Sequence, residues 1–322
     1  MSADVGHEHV PQLVALAAAC DWGHYGAPEW RFLLGAPNRR GWVLPAPAAR
    51  ADAPRLHACV LSFRFGSTDG GADVVSIGMM LVHPEARRTG LARTLLSRAF
   101  GAEEARAPVF ALVASAMGQP VYRTIGFGSA APVTKLRLPA ALARTLRSSG
   151  AAEGAIDRPD ASERVRQQLS RLDRSATGLD RGPLLAHLLA QPGAFGAVAD
   201  ADGAAACAAV PTGGGAIVTV GPILAESAGA CLALLRAVAD RIGKDDVDLE
   251  LWLCDQPTLV HQLAALAPGT DGRHAEVIAE CLLMTARAAG GEAAGGGGAQ
   301  LAAATLPGAR STYVGCVHPS FG

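Results

Sequence analysis

The chain has 322 residues and a mass of 32.8 kDa, which exceeds one ordinary domain and predicts two domains of roughly 100–200 residues each. Hydrophobic residues make up 50% of the sequence, which excludes disorder of the whole chain. The 28 Lys and Arg residues nearly balance the 29 Asp and Glu residues, for a net charge of −1. We therefore expect no general binding of nucleic acid or of anionic membranes.

The sequence predicts neither export nor a membrane span. No stretch approaches the roughly 20 uncharged apolar residues that a spanning helix needs. No Lys or Arg precedes Arg31, whereas export signals begin with positive charge. The cysteines are scattered singly and odd in number, which is typical of a reducing compartment, so we predict a cytoplasmic protein. They are Cys20, Cys59, Cys207, Cys231, Cys254, Cys281 and Cys316.

The elements predicted for the first half alternate between strands and helices. The nearly continuous apolar run Val74–Val82 is closed by His83-Pro84 and predicts a central strand. Leu91–Phe100 then has helical apolar spacing. This order indicates an α/β or α+β fold. The other predicted elements are strands at 41–44, 59–65, 108–113 and 133–138 and a short helix at 121–125.

The second half repeats this element order. Val82-His83-Pro84 and Val220-Gly221-Pro222 are corresponding points of a weak internal repeat. We predict a first domain at 1–145, a linker at 146–163, a second domain at 164–289 and a Gly/Ala-rich connector and tail at 290–322. The elements predicted for the second half are helices at 165–189, 228–242 and 259–266 and strands at 194–198, 204–210, 216–220 and 247–253.

The segment Arg87–Ala92 has the strongest chemical signal. It reads Arg-Arg-Thr-Gly-Leu-Ala and stands between the predicted strand and helix. Unpaired amides at a helix start bind phosphate groups, and Gly90 and Ala92 would let the backbone approach closely. From these six residues alone, an ordinary solvated helix start is the alternative.

The run VVSIGMMLVHPEARRTGLARTLL, residues 74–96, resembles the acyl-CoA-binding segment of the GCN5-related N-acetyltransferases (GNAT). Further along, Tyr122-Arg123-Thr124-Ile125-Gly126-Phe127 is similar to the family's Tyr-x-x-x-Gly-Phe segment. The resemblance covers roughly 21–138 and is closest to two-domain members. It implies two tandem GNAT-like domains, each a mixed, mostly antiparallel sheet flanked by helices. In each, the fourth and fifth strands would splay apart into a cleft.

The same resemblance implies acetyl-CoA as the cosubstrate. Its pantetheine arm would lie between the splayed strands, with the backbone of Met80, Leu81 and Val82 beside the thioester. Tyr122 stands where the family keeps a general acid for the departing thiolate, and a core tyrosine packed on Phe127 is the alternative. The residues implied to bind the pyrophosphate are Arg87, Arg88, Thr89, Gly90, Leu91 and Ala92.

The acceptor side is defined less sharply. Aromatic residues and a histidine fall where the family's acceptor loops lie, and they would form flat walls for an amine or plugs in the core. Ser76 stands where many relatives have a Glu base, and Ser115 stands near a frequent Asn. The general base is therefore open among Asp73, Asp21, His24, a water chain, or no base at all. The acceptor-side residues are Trp22, His24, Tyr25 and Trp30.

The second half lacks equivalent chemistry. Glu226 stands where a pyrophosphate would bind, so we predict a degenerate copy that binds no CoA. No metal site is predicted, because His7-x-His9 offers only two ligands near a terminus. We predict acetyl transfer to a primary amine, either a small molecule or a lysine side chain, in a ternary complex. A non-catalytic CoA-sensing or scaffolding protein is the alternative, and hydroxyl or thiol acceptors stay open.

Overall fold

The computed structural model describes residues 3–46, 56–103, 108–148, 163–199, 205–225, 227–243, 246–266, 272–288, 301–302 and 313–315. The helices are α1 (Val10–Ala19), α2 (Ala27–Gly35), α3 (Leu91–Gly101), α4 (Gln119–Thr124), α5 (Ala140–Ser148), α6 (Glu163–Thr177), α7 (Gly182–Leu189), α8 (Ala228–Ile242) and α9 (Pro257–Ala264). The strands are β1 (Ala3–Asp4), β2 (Arg39–Pro45), β3 (Leu56–Ser67), β4 (Val74–Val82), β5 (Val109–Ser115), β6 (Gly128–Leu138), β7 (Leu179–Asp180), β8 (Phe195–Ala199), β9 (Ala205–Thr212), β10 (Ile217–Leu224), β11 (Asp248–Cys254), β12 (Glu276–Ala288), β13 (Leu301–Ala302) and β14 (Tyr313–Gly315).

A single mixed sheet runs through both halves of the chain. Its strands follow the order β1-β2-β3-β4-β5-β12-β6-β11-β14-β10-β9-β8, while β13 pairs with the end of β12 and β7 with the end of β3. Most neighbouring strands are antiparallel, while β4–β5 and β10–β11 are parallel. Within each parallel pair a helix connects the two strands, α3 between β4 and β5 and α8 between β10 and β11, because parallel neighbours need a crossover connection. The predicted mixed, mostly antiparallel sheet flanked by helices is confirmed.

Helices cover both faces of this sheet. On one face, α3 and α4 pack on the first half, and α5, α8 and α9 pack on the second. On the other face, α1 and α2 lie over the first half, and α6 and α7 over the second. The side chains of β4 alternate accordingly: Val75 and Ile77 contact the α3 layer, whereas Val74 contacts the α1 layer. This alternation follows from the two-residue period of a strand.

Strand β12 lies between two strands of the first half. It pairs with β5 from Arg287 opposite Val109 to Cys281 opposite Ser115, and its other edge pairs with β6. The second part of β6, from Val133 to Leu138, in turn pairs with β11 of the second half. Each half of the sheet is thus completed by a strand from the other half. The predicted spans 1–145 and 164–289 are therefore not separate sheets, and the linker at 146–163 lies almost wholly outside the described residues.

The first half of the sheet contains a wedge-shaped cleft between β4 and β5. The two strands are paired only from Val74 opposite Val109 to Ser76 opposite Ala111. Beyond that point β4 bulges against β3, where the register shifts between Cys59 and Leu61, and Met79 has a φ of 52°. A bulge bends its strand and increases the twist, so the end of β4 separates from β5. This is the splayed cleft predicted from the family resemblance.

The second half contains the matching separation between β10 and β11. These strands pair from Ile217 to Val220, and the register with β9 shifts between Val220 and Ile223. Here, however, β14 from the chain's own tail pairs with both strands. Its Gly315 lies opposite Ile223 of β10 and opposite Leu253 of β11. The second wedge is thus filled by a strand of the protein itself.

Candidate active site

An open helix start follows β4. Gly90 is the N-terminal cap of α3 with a φ of 86°, and no side chain caps the helix. The amide of Thr94 donates to the Gly90 carbonyl at 3.0 Å, so the earlier amides of the first turn face outward for an external partner. A Cβ atom added at Gly90 would meet nothing within 4 Å. The combination of free amides, open space and the helix dipole suits an anion.

The turn that leads to this helix start is held by its own hydrogen bonds. Thr89 Oγ1 donates to the carbonyl of Ala86 at 2.6 Å, and Arg87 Nε donates to the carbonyl of Val82 at 3.3 Å. Arg88 is exposed and has a φ of 63°. Two arginines therefore flank the open amides, so the charge of the site is positive before any ligand binds.

The wedge and the helix start share one apolar cluster. Met80 and Val82 of β4 and Leu91 of α3 pack on the cluster that contains Tyr122. The side chain of Leu81 points to the other face of the sheet and is buried in the core beneath α1 and α2. The backbone of β4 between Met80 and Val82 therefore forms one wall of the wedge. Strand pairing with β5 does not extend to this part of β4.

Tyr122 lies on α4, the short helix that follows β5. Its ring is buried and makes an edge-on contact with Phe127, with the ring centroids 5.9 Å apart. Gly118 allows this position, because a Cβ atom there would lie 2.8 Å from Tyr122 Cε2. Burial raises the pKa of Tyr122 to about 12, so the phenol keeps its proton at neutral pH. The contact with Phe127 fits the role of a core tyrosine, and the retained proton fits the role of a general acid.

The four acceptor-side residues form a partly stacked group between α1 and α2. The rings of His24 and Tyr25 have centroids 4.7 Å apart, and those of Trp22 and Tyr25 5.5 Å apart. His24 is exposed and Trp22 half-buried. Trp30 differs, since it has no exposed surface and belongs to the core beneath α1. Trp30 is therefore a plug in the core rather than a wall of a substrate site.

Tyr25 opens onto a cavity between the two halves of the chain. This cavity has a volume of about 210 Å³ and is lined by α2 on one side and by β9 and β10 on the other. Glu29 and Phe32 come from the first half, and Val210 and Thr219 from the second. Ligand sites commonly lie at such junctions. Most residues that line this cavity were not associated with a site from the sequence.

The structure separates the three candidate bases. Asp73 precedes β4 at the end where that strand is still paired with β5, and it forms an ion pair with Arg64 at 2.5 Å. Asp73 is thus held at the closed end of the wedge. Asp21 is exposed in the turn after α1. His24 lies in the acceptor-side group, where partial desolvation of its otherwise exposed ring, together with the positive charge of Lys135, lowers its pKa. Its imidazole is therefore neutral at pH 7 and able to accept a proton.

Two serines stand at the positions where the family resemblance implied a Glu and an Asn. Ser76 is buried, and its Oγ has no hydrogen-bond partner among the described residues. Ser115 is exposed at the end of β5, where its Oγ accepts from the Gly118 amide at 3.3 Å. Glu226 and Cys316 lie outside the described residues. The six other cysteines are buried free thiols.

The fold and this site define a class: a two-part acyltransferase fold with one open wedge beside a positively charged helix start. Two family models described as acetyltransferase (GNAT) domains match the chain, one at residues 65–135 and the other at residues 169–266. The chain belongs to the GNAT superfamily and contains two GNAT domains.

Several solved structures share this fold. A proposed acetyltransferase from Pyrococcus horikoshii is 14% identical with a TM-score of 0.70, covering 100% of this chain and 95% of that one. A tandem GNAT protein from the clavulanic acid biosynthesis pathway is 19% identical with a TM-score of 0.58, covering 91% and 99%. A GCN5-related N-acetyltransferase from Sphaerobacter thermophilus is 15% identical with a TM-score of 0.60, covering 89% and 95%. No curated protein matches the chain in sequence.

Two further observations concern the described residues alone. None of their helices has both the length and the apolar composition needed to cross a membrane. Among the same residues, no three His, Cys, Asp or Glu side chains are grouped so that they could hold a metal ion.

Proposed function

We propose that the protein is an acyl-CoA-dependent N-acetyltransferase that transfers acetyl from acetyl-CoA to a primary amine. The observation that carries this proposal is that the open wedge and the uncapped helix start both adjoin strand β4. The wedge opens at the Met79 bulge of β4, and the uncapped start of α3 follows the end of the same strand. A long cosubstrate with a thioester at one end and phosphates further along fits such an arrangement.

The residues present suit acetyl-CoA at both ends. The amides at the start of α3, with Arg87 and Arg88 beside them, would bind its phosphate groups. Met80, Leu81 and Val82 would offer backbone groups to the pantetheine arm, because pairing with β5 does not reach them. A backbone N–H in this segment would stabilise the negative charge that develops on the carbonyl oxygen. Holding both reactants close would supply much of the rate.

In this proposal His24 accepts one proton from the amine, and Tyr122 donates one proton and later regains one. The amine nitrogen forms a bond to the acetyl carbon while the bond from that carbon to sulfur breaks. Tyr122 donates its proton to the departing sulfur. Of the two protons that an ammonium nitrogen loses, one leaves through His24 to solvent and the other restores Tyr122. The raised pKa of Tyr122 keeps its proton in place before transfer.

The second GNAT domain would act as a degenerate copy that binds no CoA. Its wedge is filled by β14, which pairs with β10 and β11, and no arginine follows Val220 before Arg236 in the sequence. This domain would instead supply one wall of the acceptor cavity through Val210 and Thr219. We propose the acceptor side at this junction between the halves.

A panel of primary amines tests the proposal. Each amine is incubated with acetyl-CoA and the full-length protein, and mass spectrometry measures the acetylated product. Wild-type protein should acetylate at least one amine, while Tyr122→Phe, which keeps the ring that contacts Phe127, should be much slower. If acetyl-CoA binds in calorimetry but no amine, alcohol or thiol is acetylated, the non-catalytic CoA-sensing alternative replaces the enzyme. The lack of a carboxylate at Ser76 is the feature that favours that alternative.

A further inference from the structure

Two cations share one carboxylate at the centre of the sheet. Lys135 Nζ lies 3.0 Å from Glu250 Oε1, and Arg137 Nη2 lies 3.2 Å from Glu250 Oε2. Lys135 and Arg137 belong to β6, and Glu250 belongs to β11, where it pairs opposite Arg137. The side chains of Lys135 and Glu250 are each 11% exposed. The cluster therefore holds a net charge of one positive unit in a nearly buried place.

Among the described residues, Glu250 is the one carboxylate that forms an ion pair with Lys135 or Arg137. Glu276, opposite Arg137 on β12, is exposed and forms no ion pair with it in the described structure. Trp252 stands opposite Lys135, whose ammonium lies 5.1 Å from the centre of the indole ring. An indole face attracts a cation but does not neutralise it.

Two buried hydrogen-bond donors of the same cluster have no acceptor. Arg137 Nε and Trp252 Nε1 are buried, and neither has a partner among the described residues. Buried donors are rarely left in this state, because each costs the free energy of its lost hydration. Arg137 keeps 28% of its side chain exposed, so a ligand can reach the cluster. An anion would satisfy the donors and balance the charge.

This cluster lies on the acceptor side of the sheet. Leu136 and Leu251 point to the opposite face, beneath α5 and α8, so Lys135, Arg137 and Glu250 point toward the face that carries the cavity. Thr219, which lines the cavity, pairs directly with Glu250 across β10 and β11.

The cluster also connects the acceptor loop with the open wedge. His24 lies near enough for the charges of Lys135, Glu250 and Arg137 to act on it. In the other direction, Val133 and Ser115 both lie opposite Cys281 of β12. Lys135 is thus two strands away from Ser115, the last residue of β5, and two residues further along. This places the Cα atoms of Lys135 and Ser115 about 12 Å apart. A single small molecule can span that distance with the help of the lysine side chain.

We propose that Lys135 and Arg137 bind a carboxylate of the acceptor, so that the amine substrate is an amino acid or a similar amino carboxylate. This inference rests on the proposed acetyltransferase function and adds the class of its substrate. The carboxylate accepts from the free donors of the cluster, and the amine extends toward the wedge past His24. One cation is enough to neutralise Glu250, so the second cation and the two unpartnered donors are available to a ligand.

Matched pairs of acceptors test this proposal. The pairs are lysine with 1,5-diaminopentane, phenylalanine with 2-phenylethylamine, and methionine with 3-(methylthio)propylamine; within each pair only the carboxylate differs. A hydrogen-bonded charge pair predicts that kcat/KM is about 10- to 150-fold higher for the member that carries the carboxylate. Lys135→Met should bring that ratio toward one through KM, and Lys135→Arg should restore it. Arg171→Met, which removes an exposed charge on α6, is the matched control and should leave the ratio unchanged.

Two results would overturn the proposal. The first is equal kcat/KM for both members of every pair that is acetylated. The second is a carboxylate preference that Lys135→Met leaves intact in a folded protein, since a purely structural cluster would lower stability without changing the ratio.

Failure of the proposed acetyltransferase function is distinguishable from failure of the carboxylate site. If no acceptor is acetylated, calorimetry with 3-phenylpropionate and with phenylalanine examines the site directly at millimolar concentrations. Binding that Lys135→Met abolishes would support the carboxylate site without acetyl transfer. Absence of binding by both compounds would reject it, whatever the outcome with acetyl-CoA.

Discussion

Substitution of Gly90 tests the proposed phosphate site with a matched pair of variants. Gly90→Glu and Gly90→Gln add side chains of the same shape, and a Cβ atom there meets nothing within 4 Å. Both variants must hold a φ of 86°, which costs a non-glycine residue about 1–2 kcal/mol. Because both incur this cost, the difference between their affinities for CoA reports the effect of one negative charge.

The size of that difference follows from Coulomb's law. A carboxylate about 6 Å from a phosphate charge, at an effective dielectric constant of about 20–40, is repelled by about 1.4–2.8 kcal/mol. This repulsion corresponds to a dissociation constant about 10- to 100-fold higher for Gly90→Glu than for Gly90→Gln. Since the Debye length is about 8 Å at physiological ionic strength, the ratio should shrink as salt is added.

Titration calorimetry with CoA at two salt concentrations measures this ratio, and circular dichroism confirms that both variants are folded. Equal dissociation constants for Gly90→Glu and Gly90→Gln would refute the reasoning, because no phosphate could then lie at the start of α3. A large ratio that does not respond to salt would contradict the electrostatic explanation.

Four further predictions follow from other parts of the structure. Tyr122→Phe should lower turnover by about 10²–10⁴-fold with little change in acetyl-CoA affinity, and near-normal turnover under conditions where chemistry limits the rate would assign the proton to another donor. The intact chain should bind one CoA in calorimetry, because β14 fills the second wedge; two equivalent sites would contradict this. Since the pKa of His24 is lowered, kcat/KM should rise with pH through a value below 6.5 and level off by pH 7, and His24→Asn should remove that rise if His24 is the base. A fragment of residues 1–145 should fail to fold cooperatively, because it lacks the strand that pairs with both β5 and β6; a cooperative melting transition for this fragment would show that β12 is dispensable.

Local pattern was enough to place the central elements of the first half. The apolar run predicted as a strand is β4, Val74–Val82, with the same bounds, and the helical spacing from Leu91 begins α3 at the same residue. Both elements depend on neighbouring residues, through apolar periodicity and a glycine that allows a positive φ. The resemblance added the splayed cleft, which strand pairing confirms.

Long-range partners could not be predicted in the same way. Glu276–Ala288 was not predicted as an element, although its apolar content is typical of a strand, and nothing local indicates that it lies between β5 and β6. Trp30 lies in a stretch punctuated by Gly and Pro, yet it is fully buried because α1 and the sheet cover it. Lys135 and Arg137 alternate with Leu136 and Leu138, and this alternation was a signal that both cations share one face. Their carboxylate partner, more than a hundred residues away, had no local signal.

The exchange of strands brings residues of both GNAT domains into one cluster. Strand β6 carries Lys135 and Arg137 but belongs to the first half, whereas Glu250, Trp252 and the wall of the cavity at Thr219 belong to the second. Because β6 lies between β12 and β11, both domains must fold together before this cluster exists. Under the proposed function, a second domain that binds no CoA would still be needed, because Thr219 and Glu250 belong to it. In the proposed function the open wedge would then be the donor side, and the junction between the halves would be the acceptor side.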